Sequence, residues 1–156
     1  MDSNFKYNLG ILKVDQLGFV YKDIKKQARL LESKFNLPQF IFTEEKSHSF
    51  KYRGEESEVI LNVGISRMGN NQIELIQLIE GDCLYKEFLD QGKEGFQHIG
   101  TYVDNVQQAV EEFRRIEIEP VQTGRAVHHF FSYMDTKKYF GTYIELLELV
   151  KRKRRR

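Results

Sequence analysis

The chain of 156 residues has a single cysteine, Cys83, and no apolar run long enough to span a membrane. One cysteine cannot form an intramolecular disulfide, so nothing in the sequence points to an oxidising compartment. The first residues, Met1-Asp2-Ser3-Asn4, also lack the charged and then apolar pattern of a secretory signal. These absences exclude a disulfide framework and predict a cytoplasmic location without membrane insertion.

The composition is that of an ordinary soluble globular protein, with 40% apolar and 30% charged residues. The formal net charge is +1, but six of the positive charges lie in a basic tail at residues 151–156, and the rest of the chain is acidic. A terminal run of like charges is usually solvated. Because no aromatic residue interrupts the tail, the sequence does not favour nucleic acid as a partner.

Two stretches place an acidic residue inside an apolar, strand-like run. They are residues 73–79, IELIQLI, and residues 144–150, IELLELV, and they match at nearly every apolar position. Burying an ionised carboxylate is costly unless the group is paired, hydrogen-bonded or bound to a metal. The recurrence therefore indicates an internal repeat with a functional cause.

Local patterns give the first half a strand followed by a helix. The strand is predicted over residues 12–21, and Asp23 stands at the N-cap position of the helix that follows. The apolar residues of this helix recur at helical spacing, so we expect one face to be buried, with Ile24, Ala28, Leu31 and Phe35.

The remaining elements are short strands, one connector and a second helix. In the first half, strands are predicted over residues 39–44, 49–53, 59–68 and 72–79, the last two joined by a hairpin turn at Gly69-Asn70-Asn71. A short helix is expected within residues 80–94. The second half has strands over residues 96–104, 119–122, 126–134 and 142–150, and a helix after Asp104 that buries Val106, Ala109, Val110 and Phe113.

The repeat predicts an α+β fold in which two βαβββ modules form a cupped, mixed but mainly antiparallel sheet with the helices outside. We expect the first module at residues 11–80, a connector helix at 81–95 and the second module at 96–150, followed by the basic tail. All belong to one structural domain. Because exposed strand edges must be paired or covered, we also expect a homodimer, with modules paired within one chain or swapped between chains.

Superposing the two halves aligns Gln16-Leu17-Gly18 with His98-Ile99-Gly100, and Glu74 with Glu145. Each polar residue lies on the first or last strand of its module, so the four side chains converge if these strands are neighbours in a curved sheet. One amide oxygen, one imidazole and two carboxylates suit a divalent cation. A single polar residue on a strand is most often structural, but four at equivalent positions favour a site.

Together these segments resemble the vicinal-oxygen-chelate superfamily, which includes glyoxalase I, methylmalonyl-CoA epimerase and the extradiol dioxygenases. The resemblance covers about residues 11–150 and is carried by VDQLGFVYKD, FQHIGTYVDN, NQIELIQ and DTKKYFGTYIELLE. It implies that a divalent metal ion (Zn, Ni, Co, Mn or Fe) is bound by Gln16, Glu74, His98 and Glu145. It also implies that Glu145 or Glu74 moves between a ligand and a catalytic base.

The resemblance further implies a lyase or isomerase that abstracts a proton α to a carbonyl or thioester of a small-molecule substrate. The Gln/Glu/His/Glu set looks like that of eukaryotic-type glyoxalase I, which favours a glutathione conjugate. The connector, GDCLYKEFLDQGKEGFQHIG, looks more like that of methylmalonyl-CoA epimerases, which favours a CoA thioester. The chain also lacks the extra segments of eukaryotic glyoxalase I, so the two signals point to different substrates.

Three other functions fit the same resemblance. An extradiol dioxygenase normally needs two His and one carboxylate on iron, and Gln16 takes the place of one His. A metal-free drug-sequestering protein usually lacks the ligand set, which is intact here. A non-catalytic, regulatory binding module stays open.

Other polar and aromatic residues are weaker candidates. His128 and His129 are adjacent on a predicted strand, so one of them would face the cavity. His48 lies in a polar segment. A carboxylate or phosphate of a thiol conjugate could pair with Arg53, Arg67 or Arg125, and an aromatic wall could be formed by Tyr133, Tyr139 and Phe140.

Overall fold

The computed structural model describes residues 13–43 and 46–151. The first half contains β1 (Gln16–Val20), α1 (Ile24–Phe35), β2 (Ile41–Phe42), β3 (Lys46–Tyr52), β4 (Glu55–Met68) and β5 (Asn71–Glu80). Then follow α2 (Leu84–Asp90), β6 (Gly95–Tyr102), α3 (Val106–Arg114), β7 (Pro120–Arg125), β8 (His129–Met134), α4 (Lys137–Phe140) and β9 (Tyr143–Leu149). The predicted module start at residues 11–12 and the tail at 152–156 lie outside the described residues. No described helix is long and apolar enough to cross a membrane.

The described strands form one mixed sheet in the order β2-β4-β3-β7-β8-β9-β6-β1-β5, and β5 pairs again with β4. Eight strands therefore close into a barrel-like ring, and β2 is appended to β4 outside it. The pairings β1–β5 and β6–β9 are parallel, whereas the other described pairings are antiparallel. The predicted α+β fold with a curved, mainly antiparallel sheet is confirmed.

The two halves of the chain occupy the two halves of this ring. Strands β3-β4-β5-β1 are neighbours in one half and β6-β9-β8-β7 in the other, and the seams are the pairings β1–β6 and β3–β7. The chain thus pairs its halves with each other rather than leaving both inner edges free. The division into two modules with a connector at residues 81–95 stays a prediction.

Helices α1 and α3 pack on the outer face of the sheet, as predicted. The apolar residues Ile73 and Leu75 of β5 contact the α1 cluster, and Ile144 and Leu146 of β9 contact the α3 cluster. Side chains alternate along a strand, so the residue between each pair faces the barrel interior. This explains the repeated sequence pattern. The apolar residues face outward and pack against the helices, and the acidic residue between them points into the barrel.

The predicted cap and most of the predicted helix faces are confirmed. The side chain of Asp23 accepts a hydrogen bond from the backbone N–H of Lys26, and Ile24 and Ala28 are buried. Phe35 was expected to be buried, which is wrong, because it is 69% exposed. The reason is that α1 ends there: Asn36 adopts a left-handed conformation with φ of 54° and turns the chain away.

Most predicted strands differ from the structure by one to four residues at an end, and two of these differences affect residues of the site. The strand expected over residues 126–134 begins only at His129, because the N–H of Ala126 donates to the carbonyl of His129 and forms a turn. The strand expected over residues 49–53 begins at Lys46 and therefore includes His48. Helix α4 was not predicted, and its Tyr139 and Phe140 are exposed rather than part of an aromatic wall.

The connector helix α2 contributes to the barrel interior. Leu84 and Tyr85 are buried in the same cluster as inward-facing residues from both halves of the ring. The backbone N–H of Leu84 donates to the buried Gln122 Oε1 at 2.9 Å, and the hydroxyls of Tyr85 and Tyr133 are 2.7 Å apart. The helix thereby fills the interior next to the site described below.

Candidate metal centre

Four adjacent strands of the ring, β5-β1-β6-β9, carry the polar residues that the repeat aligned. The strand register places them in two rows, Glu74-Gly18-His98 and Gln16-Gly100-Glu145. The rows are two residues apart, so their side chains share the inward face of the sheet. Each row holds a glycine between two of the polar side chains.

The glycines make room for the side chain from the other half of the chain. A Cβ atom at Gly18 would lie 1.8 Å from Cε1 of His98, and one at Gly100 would lie 2.9 Å from Oε1 of Gln16. No side chain larger than that of glycine fits at position 18 without displacing the imidazole. The Gln-x-Gly and His-x-Gly spacing of the repeat therefore has a steric reason.

His98 lies at the centre of the group and is fully buried. Its Nε2 is 3.0 Å from Oε2 of Glu145, 3.2 Å from Oε2 of Glu74 and 3.1 Å from Oε1 of Gln16. The same Gln16 atom is 3.2 Å from the facing carboxylate oxygen of each glutamate. The structure thus brings all four predicted site residues together.

The Gln16 amide fits the site only in part without a cation. With Oε1 inward, its Nε2 donates to Oε1 of Gln72 at 2.7 Å, but Oε1 then faces two carboxylate oxygens, an acceptor against acceptors. Reversing the amide lets it donate to both carboxylates but places its oxygen against Gln72. A positive ion between the oxygens favours the first orientation, because every inward oxygen then has a partner.

The charges in this cluster act strongly on each other. Burial lowers the pKa of His98, but the carboxylates of Glu145 and Glu74 raise it more, to about 9. The pKa of the Glu145 carboxyl is raised, because the effect of burial is larger than the opposite effect of the neighbouring His98 imidazole. Two acids and one imidazole in a desolvated place are an arrangement that a divalent cation would stabilise.

The donor atoms fit such an ion. Nitrogen and oxygen ligands about 2.0–2.3 Å from an ion, and at right angles to each other, are separated by about 3 Å. Five of the six separations among the four atoms here are 3.0–3.2 Å, and the sixth, between the two glutamate oxygens, is within 4.8 Å. In the described residues, Glu74, His98 and Glu145 form the one group of acidic, His or Cys ligands whose atoms all lie within 4.8 Å.

Gln97 is a site residue that the sequence analysis missed. A β-bulge opposite Gly18 and Phe19 leaves it without a partner in the β1–β6 register. Its buried side chain places Oε1 2.7 Å from Nδ1 of His98. An Nδ1–H that donates there leaves the Nε2 lone pair directed at the site, as a metal ligand requires. Regular alternation would point Gln97 outward, so the sequence pattern carried no signal for it.

Replacing Gln97 by leucine is expected to weaken metal binding by about 10- to 100-fold, because the acceptor that orients the imidazole is lost. Gln97→Glu keeps an acceptor for Nδ1–H and is expected to retain most of the affinity. Competition with a chromophoric chelator measures both, and the exposed Gln107→Leu serves as the control. Equal affinities for Gln97→Leu and the parent protein would contradict this role.

Gln16, Glu74 and Glu145 line a partly open cavity of about 300 Å³, and the fully buried His98 lies behind them. Its wall is largely apolar and includes Phe50, Leu61, Val63, Ile65, Ile76, Phe131 and Leu149, together with Tyr85. A larger groove of about 850 Å³ lies between α3 and strands β7 and β8. That groove contains none of the four residues, so we place the candidate site in the smaller cavity.

Among the weaker candidates, the histidines line the cavity and the arginines do not. His48, His128 and His129 are all lining residues. His128 and His129 can both face the cavity because His128 lies in the turn before β8 rather than on the strand. Arg53 is paired with Glu87 at 2.8 Å, and Arg125 packs over the ring of Phe130. None of the three candidate arginines is among the described residues that line the cavity.

The sequence is similar to a known protein family over most of the chain. A family model described as the Glyoxalase/Bleomycin resistance protein/Dioxygenase superfamily matches residues 15–133. The matched segment contains Gln16, Glu74 and His98 and ends before Glu145. Among curated proteins, none matches the chain in sequence.

Several solved structures share the fold. The hypothetical protein BH1468 from Bacillus halodurans C-125 gives a TM-score of 0.67 at 14% identity, covering 93% of this chain and 99% of that one. Methylmalonyl-CoA epimerase from Mycobacterium tuberculosis gives a TM-score of 0.63 at 18% identity, covering 88% of this chain and 87% of that one. A variant of Streptomyces coelicolor methylmalonyl-CoA epimerase in complex with 2-nitronate-propionyl-CoA gives a TM-score of 0.67 at 14% identity. The match covers 89% of this chain and 95% of that one.

At these identities the structural likeness shows the fold alone. The family match covers most of the chain and agrees with the motifs on β1, β5 and β6 that carried the resemblance. On this evidence the chain belongs to the Glyoxalase/Bleomycin resistance protein/Dioxygenase superfamily.

Proposed function

We propose that this protein is a divalent-metal-dependent lyase or isomerase that abstracts a proton α to the carbonyl or thioester of a small substrate. The observation that carries the proposal is the convergence of Gln16, Glu74, His98 and Glu145 beside a partly open cavity with a largely apolar wall. Its fold neighbours support a thioester, since one is a methylmalonyl-CoA epimerase in complex with methylmalonyl-CoA.

Each part of the site has a task in this reaction. A divalent ion held by the four residues supplies Lewis-acid stabilisation of negative charge on a carbonyl oxygen. The carboxylates of Glu74 and Glu145 both line the cavity, and either is placed to accept the α-proton as the general base. The apolar wall, with Phe50 and Phe131, limits water around the reacting groups and so strengthens their electrostatic interactions.

A ring-cleaving dioxygenase is the second candidate, because dioxygenases belong to the same superfamily. The donor set argues against it, since iron in such enzymes is typically held by two His and one carboxylate. Here a single imidazole, that of His98, lies among one amide and two carboxylates. A non-catalytic small-molecule binder with the same fold is the third candidate. The homodimer and the cytoplasmic location expected from the sequence stay predictions.

The test is a paired assay on protein loaded separately with Zn²⁺, Co²⁺, Ni²⁺, Mn²⁺ or Fe²⁺. Deuterium incorporation at the α-carbon is followed by NMR with methylmalonyl-CoA and with the hemithioacetal of glutathione and methylglyoxal. Oxygen uptake is followed with catechol. We expect exchange with at least one metal and one thiol class, which also decides between CoA and glutathione.

Exchange should fall by at least about 100-fold in Glu145→Gln or Glu74→Gln, since general acid–base catalysis contributes about 10²- to 10⁴-fold. Glu80→Gln is the matched control, because Glu80 lies on β5 like Glu74 but is exposed. Oxygen uptake without exchange would instead identify a dioxygenase. No activity in either assay would favour the binding protein.

A further inference from the structure

The cavity has a basic side across the ring from the candidate metal centre. Strands β3 and β7 lie opposite β1 and β6 in the ring order. The cavity lining contains four basic residues, which we call the basic rim: Lys46 and His48 on β3, His128 in the turn before β8, and His129 at the start of β8. The carboxylates among the described lining residues are Glu74 and Glu145, and both belong to the metal centre.

Within residues 13–43 and 46–151, the acid on which the basic rim acts is Glu145 of the metal centre, because His129 acts to lower the pKa of that carboxyl. None of its four side chains forms an ion pair there. Burial and, second, the nearby charge of Lys46 lower the pKa of His48, so the lysine carries the positive charge here and the imidazole beside it offers a hydrogen bond. Basic side chains that line one part of a cavity and form no ion pair among the described residues favour the binding of an anion.

The rim is not a second metal site. The group of metal-ligating side chains found within the described residues is the one at Glu74, His98 and Glu145. A lysine in the rim also opposes a cation. The rim therefore suits a ligand of the opposite charge.

An apolar wall connects the rim to the metal centre. His48 stacks on Phe50 with ring centroids 5.7 Å apart, and Phe50 meets the edge of Phe131 at 5.0 Å. Phe131 is in turn 5.9 Å from Tyr133, whose ring lies 5.1 Å from that of His98. The cavity thus changes from polar to apolar to basic along one line of rings. Its volume of about 300 Å³ suits a compact ligand.

We propose that the basic rim binds an anionic group, a carboxylate or a phosphate, of a substrate whose apolar body lies along Phe50 and Phe131. The chelating end of that substrate would lie at the metal centre, and this part rests on the proposed function. The anion site itself does not need the reaction. The substrate class is therefore an amphipathic anion rather than a neutral or polar small molecule.

The test measures binding to metal-free protein, prepared by dialysis against EDTA, so that no metal ion captures the probe. Calorimetry compares hexanoate, hexyl phosphate and the neutral hexanamide at pH 7. We expect the two anions to bind at least about tenfold more tightly than hexanamide, because charge-assisted hydrogen bonds contribute more than neutral ones.

Substitutions in the basic rim test whether the anionic group binds there. The triple variant Lys46→Gln/His48→Gln/His129→Gln should lose at least about tenfold in affinity for the anions and bind hexanamide as the parent does. Lys51→Gln is the matched control, since Lys51 lies on β3 but is exposed and borders the outer groove. Single Lys46→Gln, at an exposed position, repeats the comparison with little risk to folding.

Adenosine 3′,5′-bisphosphate separates two sources of the anion. If it binds and competes with hexanoate, the rim receives a phosphate of a nucleotide carrier; if hexanoate alone binds, the rim receives a carboxylate of the substrate itself. Both results support the anion site. Equal binding of hexanamide and hexanoate, or unchanged binding by the triple variant, would overturn it. Exchange activity is measured separately, so failure here leaves the proposed reaction untouched.

Discussion

Gly18→Ala is expected to abolish stoichiometric metal binding. The new Cβ would lie 1.8 Å from Cε1 of His98 and 2.2 Å from each ring nitrogen, so the imidazole has to leave the position where it meets both carboxylates. We expect the metal affinity to fall by more than about 100-fold, beyond the usual effect of losing an outer-shell contact. Calorimetry with Zn²⁺ and elemental analysis of the purified variant measure the loss.

Gly64→Ala is the matched control for Gly18→Ala. A Cβ at Gly64 on β4 would lie 2.7 Å from Cε1 of Phe42, the end of a side chain that is 37% exposed. Both variants place alanine in a strand of the ring, but only Gly18→Ala touches the site. Normal metal content in Gly18→Ala would show that His98 is not held over Gly18 as described.

Metal ions should raise the thermal stability of the parent protein, and Glu74→Ala should remove that effect. An ion at about 100 times its dissociation constant stabilises the folded state by about 2.7 kcal/mol. For a domain of this size, that corresponds to an increase in Tm of about 5–10 °C. Melting curves by circular dichroism, recorded after EDTA treatment and again with added metal, measure the shift.

His98→Ala should behave like Glu74→Ala, since His98 Nε2 is within 3.2 Å of the other three donor atoms. Glu80→Ala, an exposed change on the same strand as Glu74, should keep the full shift. If both site variants kept the metal-induced increase in Tm, the assignment of these residues as ligands would be rejected.

The repeat made the four site residues visible in the sequence because each has a counterpart in the other half. Gln16 with His98 and Glu74 with Glu145 occupy equivalent strand positions, and the sheet brings these strands side by side. The structure explains the repeated pattern, since Ile73 and Leu75 pack against a helix while Glu74 faces the cavity. Comparing the two halves of the sequence was sufficient to find these residues.

Other features depend on contacts that local patterns do not encode. The bulge that turns Gln97 toward His98 arises from the β1–β6 register, which joins distant segments of the chain. The pairing of β3 with β7, which opposes the basic rim to the metal centre, is also a contact between the two halves. His48 seemed to lie in an irregular polar segment because its strand neighbours, Ser47 and Ser49, face solvent.

The two rows of the site have a consequence for how this protein can change over evolutionary time. Gly18 lies under His98, and Gly100 lies under Gln16, so each half of the chain supplies both a donor and the space for the donor of the other half. A larger residue at position 18 is compatible only with a smaller one at position 98. Substitutions at these positions should therefore co-vary as pairs across the duplication, and neither half can diverge at the site alone.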